Sequence, residues 1–214
     1  MTVIAVDGPA ASGKGTVSRM LAKELGYAYL DTGKLYRAVG LAVLGAGGDP
    51  SNPADAEPAA KALDPAVLDD PALKSDEAAS AASKVAAING VRAALLQFQR
   101  NFAANPPGGE FGAVLDGRDI GTVVCPDAPV KLFVTASVEI RAERRHKELL
   151  ARGDASIYAR VLQDLQERDA RDSARSVAPM KPADDAIELD TTTLSIDQAL
   201  EAALTLTKST LAKQ

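Results

Sequence analysis

Residues 8–16 read Gly-Pro-Ala-Ala-Ser-Gly-Lys-Gly-Thr, directly behind the apolar run Val3-Ile4-Ala5-Val6-Asp7. No other segment limits the fold so tightly. A glycine-rich turn between a buried strand and a helix aims backbone N–H groups into a concave nest, and the helix N-terminus adds a partial positive charge. Lys14 stands at the far end of the turn, where it can reach the outer phosphates of a nucleotide. The ligand class that follows is a nucleoside triphosphate. A glycine-rich turn with no ligand is the plainer alternative, but the spacing, the lysine and the flanking strand and helix patterns all argue against it.

One position departs from the common phosphate-binding loop. Ser or Thr usually follows the lysine, whereas here Gly15 follows and Thr16 comes one place later. The Gly-Lys-Gly-Thr ending resembles the nucleoside monophosphate kinase branch of P-loop proteins. Whether Thr16 touches Mg²⁺ directly or through water stays open on the spacing alone.

The 214-residue chain is long enough for one well-buried domain. Its 46% hydrophobic and 25% charged residues are ordinary for a globular protein. No apolar run has the length that crosses a bilayer, and the N-terminus enters a strand at once, so a cytoplasmic protein is expected. The single cysteine, Cys125, excludes an internal disulfide and reads as a packing residue. A net charge of −5 argues against binding a nucleic-acid polymer. An acidic protein that binds anions must concentrate its positive charge, and eight of the thirteen arginines fall between Arg141 and Arg175.

Short apolar segments at 3–7, 28–31, 112–116, 131–135 and 186–190 read as buried strands. Helical patterns separate them at 16–25, 34–44, 76–103, 137–152, 156–174 and 196–213. Strand–helix alternation predicts an α/β fold, a five-stranded parallel sheet with helices on both faces. Ligands bind such sheets beyond the C-terminal strand ends, where Asp7, Asp31, Asp116 and Asp190 lie. Residues 45–75, rich in Gly, Pro and Ala, predict a loosely structured insertion with short helical turns around 54–63.

Several downstream sets suit phosphate chemistry. Asp31-Thr32-Gly33-Lys34-Leu35-Tyr36-Arg37 opens a helix, with Thr32 as a candidate N-cap and Arg37 able to grip a phosphate with two parallel hydrogen bonds. Asp116-Gly117-Arg118-Asp119 closes the third strand; an acid there suits Mg²⁺ or its water shell. Arg168, Asp172 and Arg175 share one helix face. A surface ion-pair ladder would explain that spacing as well as a site for phosphate and sugar hydroxyls. Arg141, Arg144 and Arg145 lie on the preceding helix, which with its successor can form a lid over about 141–160. His146 among them reads as a surface residue.

Taken together these segments resemble a bacterial cytidylate kinase along nearly the whole chain. The resemblance rests on residues 8–16 and 31–37, on Ala82-Ser83-Lys84-Val85-Ala86-Ala87 and Val91-Arg92, and on Asp116-Gly117-Arg118-Asp119-Ile120-Gly121-Thr122-Val123-Val124. Glu167-Arg168-Asp169-Ala170-Arg171-Asp172, Arg175-Ser176-Val177-Ala178-Pro179 and Asp190-Thr191-Thr192 extend it. It implies a single P-loop kinase domain over 1–214, a small monophosphate-binding insertion over about 45–103 and a helical lid. It implies ATP held by Gly8, Pro9, Ala10, Ala11, Ser12, Gly13, Lys14, Gly15 and Thr16, with Mg²⁺ met by Asp116 and Thr16 directly or through water. CMP or dCMP would be the acceptor. Thr32, Arg92 and Asp119 would meet the cytosine ring, Ser83, Arg168 and Asp172 the pentose, and Arg37, Arg118 and Arg175 the acceptor phosphate, with Tyr36 beside them. Lys14, Arg118 and Arg175 would be catalytic. The chain is expected to work as a monomer on these small molecules, with no membrane partner. A kinase for another monophosphate such as UMP, or a nucleotide-binding switch with no acceptor, are the alternatives.

Overall fold

Unbroken apolar runs such as Val3-Ile4-Ala5-Val6 suit strands buried on both faces, and the chain uses them so. The computed structural model describes residues 1–213. In chain order the elements are β1 (Thr2–Asp7), α1 (Lys14–Leu25), β2 (Ala28–Asp31), α2 (Thr32–Gly45), α3 (Pro53–Lys61), α4 (Asp76–Val85), α5 (Asn89–Ala104) and β3 (Gly112–Gly117). Then come β4 (Val130–Thr135), α6 (Val138–Ala151), α7 (Tyr158–Ser173), β5 (Ile187–Asp190) and α8 (Ile196–Leu211). The sheet order is β2-β3-β1-β4-β5. β1 runs parallel to β3 and β4, and β4 runs parallel to β5. This is the α/β sheet expected, with each strand within a residue of its predicted bounds.

The chain divides into two compact units: Met1–Leu30 with Pro106–Gln214, and Asp31–Asn105. In the first, Ile4, Val6, Val114, Val130, Leu132 and Val134 of the sheet pack with Val17 and Leu21 of α1 and Ala199 and Ala203 of α8. α1 stops at Gly26, whose left-handed backbone lets its N–H return to Ala22 and Lys23 carbonyls. α8 starts with a reciprocal capping box between Ser195 and Gln198. A second cluster, Ala142, Leu149, Val161 and Leu165 with Ala10, joins α6 and α7 beneath the glycine-rich turn. In the other unit, α2 to α5 enclose Leu35, Val39, Val43, Ala56, Ala60, Val85, Val91 and Leu95. Among the described residues no helix is long and apolar enough to cross a membrane.

Three local expectations differ from what formed. Residues 45–75 are more ordered than expected: they hold α3 and two 3₁₀ turns, Pro65–Asp69 and Pro71–Lys74. The helical pattern over 76–103 is two helices, because the chain turns extended at Ile88 before the weak helix formers Asn89 and Gly90. α2 begins at Thr32 rather than after it, so Asp31 holds the cap position and Thr32 is buried in the first turn.

Candidate active site

β1 leads straight into the glycine-rich turn. Gly8 has φ +147°, and a Cβ there would sit 2.0 Å from the Val134 carbonyl oxygen at the end of β4. Only glycine fits so close a backbone approach. Ala11 holds φ +60°, a left-handed conformation costing an L-residue roughly 1–2 kcal/mol. Such strain persists where the surroundings impose it, and it clusters at ligand sites. Gly13 (φ +86°) then starts α1, its carbonyl accepting from Thr16 and Val17 N–H at 3.1 Å each.

The turn is clamped from outside. Thr191 Oγ1, just after β5, donates to the Ser12 carbonyl at 2.8 Å. Arg144 donates to Thr191 Oγ1 (3.0 Å) and to its carbonyl (2.6 Å). Arg141 is buried and spends its guanidinium on three partners: the Ala136 carbonyl (2.9 Å), the Ala10 carbonyl (3.2 Å) and Asp169 (2.6 Å). It ties α6 to both the turn and α7. Arg145 pairs with Glu148 at 2.9 Å. His146 Nδ1 and Ser156 Oγ share a hydrogen bond of 2.8 Å between α6 and the segment leading into α7.

Lys14 Nζ lies 3.4 Å from Asp116 Oδ1, the buried acid near the end of β3. The other carboxylate oxygen, Oδ2, accepts from the Tyr29 hydroxyl at 3.2 Å. Among the described residues no three His, Cys, Asp or Glu side chains gather into a metal site. A metal here would take most of its shell from phosphate oxygens and water, which is how Mg²⁺ is usually held at phosphoryl-transfer sites. One carboxylate and the Thr16 hydroxyl suit that arrangement.

The turn after β3 is fixed by Asp7. Its Oδ1 accepts from Ile120 N–H at 2.7 Å and its Oδ2 from Gly121 N–H at 2.8 Å. These are the first donors of the tight π-type turn Ile120–Val124. Burial pushes the Asp7 carboxyl up to about 7; the two N–H donors oppose that shift, while Asp119 and Asp116 add to it. β1 and β3 pair in register, Asp7 opposite Gly117, so the turn stands beside the nucleotide loop.

Arg118 leaves this turn and pairs through Nε with Asp172 Oδ2 at 3.2 Å. Arg175 pairs with the other oxygen of the same carboxylate. Asp172 is 3% exposed, so the set is no surface ladder; Arg118 comes from the turn after β3, and Arg175 lies past the end of α7 rather than on its face as expected. Arg168 lies one turn earlier on α7, and Asp119 is buried in the turn.

The second unit holds the remaining predicted residues. Thr32, Ser83 and Arg92 are buried there. The Arg92 guanidinium lies over the Tyr36 ring, 5.6 Å from its centre, and donates to the Ala86 carbonyl at 3.3 Å. Arg37 donates to the Leu73 carbonyl at 3.1 Å. Thus Tyr36 and Arg92 meet in one unit, and Arg118, Asp172 and Arg175 meet in the other. The roles of Asp7, Tyr29 and Thr191 carry no motif spacing of their own. Asp7 was visible only as a strand-ending acid, and no spacing rule marks a hydroxyl that reaches across a sheet.

The family model described as cytidylate kinase matches residues 4–209. A cytidylate kinase of Paramagnetospirillum magneticum is 65% identical over 203 residues, covering 95% of this chain and 96% of the relative. One from Rhodospirillum rubrum is 62% identical over 94% and 95% of the two chains. One from Xanthobacter autotrophicus is 58% identical over 97% of each. Among solved structures, a gluconokinase from Sinorhizobium meliloti aligns at 16% identity with a TM-score of 0.51, covering 99% of this chain and 94% of that one. A sugar kinase from Janibacter aligns at 16% identity and a TM-score of 0.51, over 97% and 95% of the chains. At that identity the likeness is one of fold alone.

Proposed function

The chain belongs to the cytidylate kinase family, and we propose that it transfers the γ-phosphoryl group of ATP to CMP and dCMP. The observation that carries this reading is the turn Asp116-Gly117-Arg118-Asp119, held by Asp7 beside the glycine-rich loop. One strand end supplies the donor loop, and its neighbour supplies an acid, an arginine and a second acid.

The acceptor is a phosphate monoester whose second pKa is about 6, so at neutral pH its attacking oxygen is already largely ionised. No general base is needed; positioning and charge stabilisation do the work. We assign Lys14 to the outer donor phosphates and Arg118 and Arg175 to the acceptor phosphate. Asp172 holds those two guanidiniums in place before a ligand arrives. One carboxylate against two guanidiniums leaves positive charge over for the incoming anion. Mg²⁺ at the donor phosphates, reached by Asp116 and Thr16 directly or through water, would neutralise the charge that builds during transfer.

From the second unit we assign Thr32 and Arg92 to the cytosine, Ser83 to the pentose, and Tyr36 and Arg37 to the same nucleotide. From the first we add Asp119 to the base and Arg168 and Asp172 to the pentose. We assign the lid to about 141–160, most of α6 and the start of α7, with Arg141, Arg144 and Arg145 as its charges and Arg141 as its anchor. We place it in the cytoplasm, in keeping with a chain of ordinary composition, and take it to work as a monomer.

A coupled ADP assay tests the reaction itself. ADP should form rapidly from Mg-ATP only when CMP is present. Equal release with water as sole acceptor would make the chain a nucleotide-binding ATPase instead.

A further inference from the structure

Gly15 departs from the hydroxyl residue that commonly follows the P-loop lysine, and the surroundings give a physical reason. A Cβ at position 15 would lie 3.0 Å from Asp116 Oδ2 and 3.8 Å from the Tyr29 hydroxyl oxygen. The place of a side chain there is filled by a carboxylate and a phenol from two neighbouring strands. The two oxygens of that carboxylate have different partners: Oδ1 faces Lys14 at 3.4 Å, and Oδ2 faces Tyr29 at 3.2 Å. The Tyr29 hydroxyl also lies 3.4 Å from the Gly15 carbonyl. Its ring packs against the cluster of β1, β4 and α1 side chains, which fixes where the hydroxyl can be.

A carboxylate free to rotate beside an ammonium would present both oxygens to it, and the lysine would then be held back from phosphate. A hydroxyl donor on the far oxygen prevents that rotation. We propose that Tyr29 is a positioning residue of the phosphoryl-transfer centre, whose hydroxyl fixes the Asp116 carboxylate in the orientation that turns Oδ1 to Lys14 and so sets how the carboxylate meets the metal shell. The proposal rests on the reading of Asp116 as the metal-side acid. It extends that reading to a residue on the neighbouring strand.

The test is Tyr29→Phe, which removes one oxygen and keeps the packed ring, together with Asp116→Asn and the double variant. Mn²⁺ binding to the enzyme–ADP complex, followed by the electron paramagnetic resonance of free Mn²⁺, reports on the metal shell without turnover or CMP. Loss of one charge-assisted hydrogen bond should weaken Mn²⁺ in Tyr29→Phe by about tenfold. It should add nothing further once Asp116 is already Asn, since the cycle isolates the pair. KM for CMP and the melting temperature should stay at their wild-type values, which a general loosening of the sheet would not allow. Wild-type Mn²⁺ affinity in Tyr29→Phe, with Asp116→Asn weakened, overturns the role of Tyr29 alone. Wild-type affinity in Asp116→Asn removes the reading of Asp116 and this proposal with it.

Discussion

Arg118 and Arg175 share one buried carboxylate, and that sharing sets what each variant should do. Removing Arg118 leaves Asp172 still paired with Arg175, so no buried charge is stranded and the fold should survive. Arg118→Ala should therefore melt near the wild-type temperature while losing roughly 10³-fold in turnover, the scale seen when an arginine is taken from a phosphoryl-transfer site. Near-normal turnover would remove Arg118 from the mechanism. Asp7 answers to pH instead. Its folded pKa of about 7 stands well above the ordinary carboxylate value near 3.8. Below that ordinary value both states carry the proton, and the contribution to stability is fully present. As pH rises towards 7 the unfolded chain has released the proton while the folded chain still holds it, so stability falls with rising pH. The slope approaches about 1.4 kcal/mol per pH unit for one proton. Urea midpoints of wild type and Asp7→Asn should show it: the wild-type curve declines between about pH 4 and 7 relative to the variant, and parallel curves would mean an Asp7 already ionised at acid pH. Lys14 and Arg118 stand out as candidates because they sit in motifs whose spacing runs along the chain, whereas the spacing of Asp172 fits a surface ladder equally well. Tyr29 and Asp7 act across strands, through register, and register is not a property of one segment.

At the scale of elements, the stretch 45–75 shows why punctuation residues can mislead. Its prolines read as breakers, yet three of them start helical turns. Asn52-Pro53, Asp64-Pro65 and Asp70-Pro71 each place a capping side chain before a proline at the first helical position. The caps accept from Ala54 N–H at 3.1 Å, Ala66 N–H at 2.9 Å and Ala72 N–H at 2.8 Å. Asx-Pro repeated at short intervals is the signal in the sequence, and it lies in the residue before each proline rather than in the proline itself. α3 is short, so its cap matters: it presents Ala56 and Ala60 to the core of its unit. Asn52→Ala should cost about 1 kcal/mol, seen as a lower urea midpoint with unchanged steepness. An unchanged midpoint would mean that burial of Ala56 and Ala60 alone sets the helix. The strands are plainer: β1, β3 and β4 are largely apolar runs of strand length, and β5 alternates apolar and acidic residues. The helical pattern over 76–103 is not, because its alanines satisfy any helical phase and hide the break at Ile88.

For the whole molecule, the apolar pattern predicts the sheet and the chain belongs to the cytidylate kinase family; the edge of the base then sets which acceptor it prefers. The base-reading residues proposed above are a hydroxyl, an arginine and a carboxylate: Thr32, Arg92 and Asp119. All three are buried within their own units, where a mismatched polar contact with a base is costly. Cytosine carries an exocyclic amine that a carboxylate can accept from, beside a ring nitrogen and a carbonyl that accept from donors. Uracil presents a carbonyl where that amine stood, setting two acceptors face to face. A site built from buried polar groups rejects such a reversal far more strongly than an apolar pocket rejects a missing methyl. CMP should therefore exceed UMP in kcat/KM by at least about a hundredfold. dCMP should fall closer to CMP, because it keeps the whole base edge and lacks only one pentose hydroxyl. AMP should be poor, its amine being attached to a larger ring system. A coupled ADP assay over the four acceptors, run at equal Mg-ATP, ranks them directly. Asp119→Asn supplies the control: its amide can donate to the uracil carbonyl, so the CMP-to-UMP ratio should shrink. If that ratio stays at the wild-type value, Asp119 does not read the base.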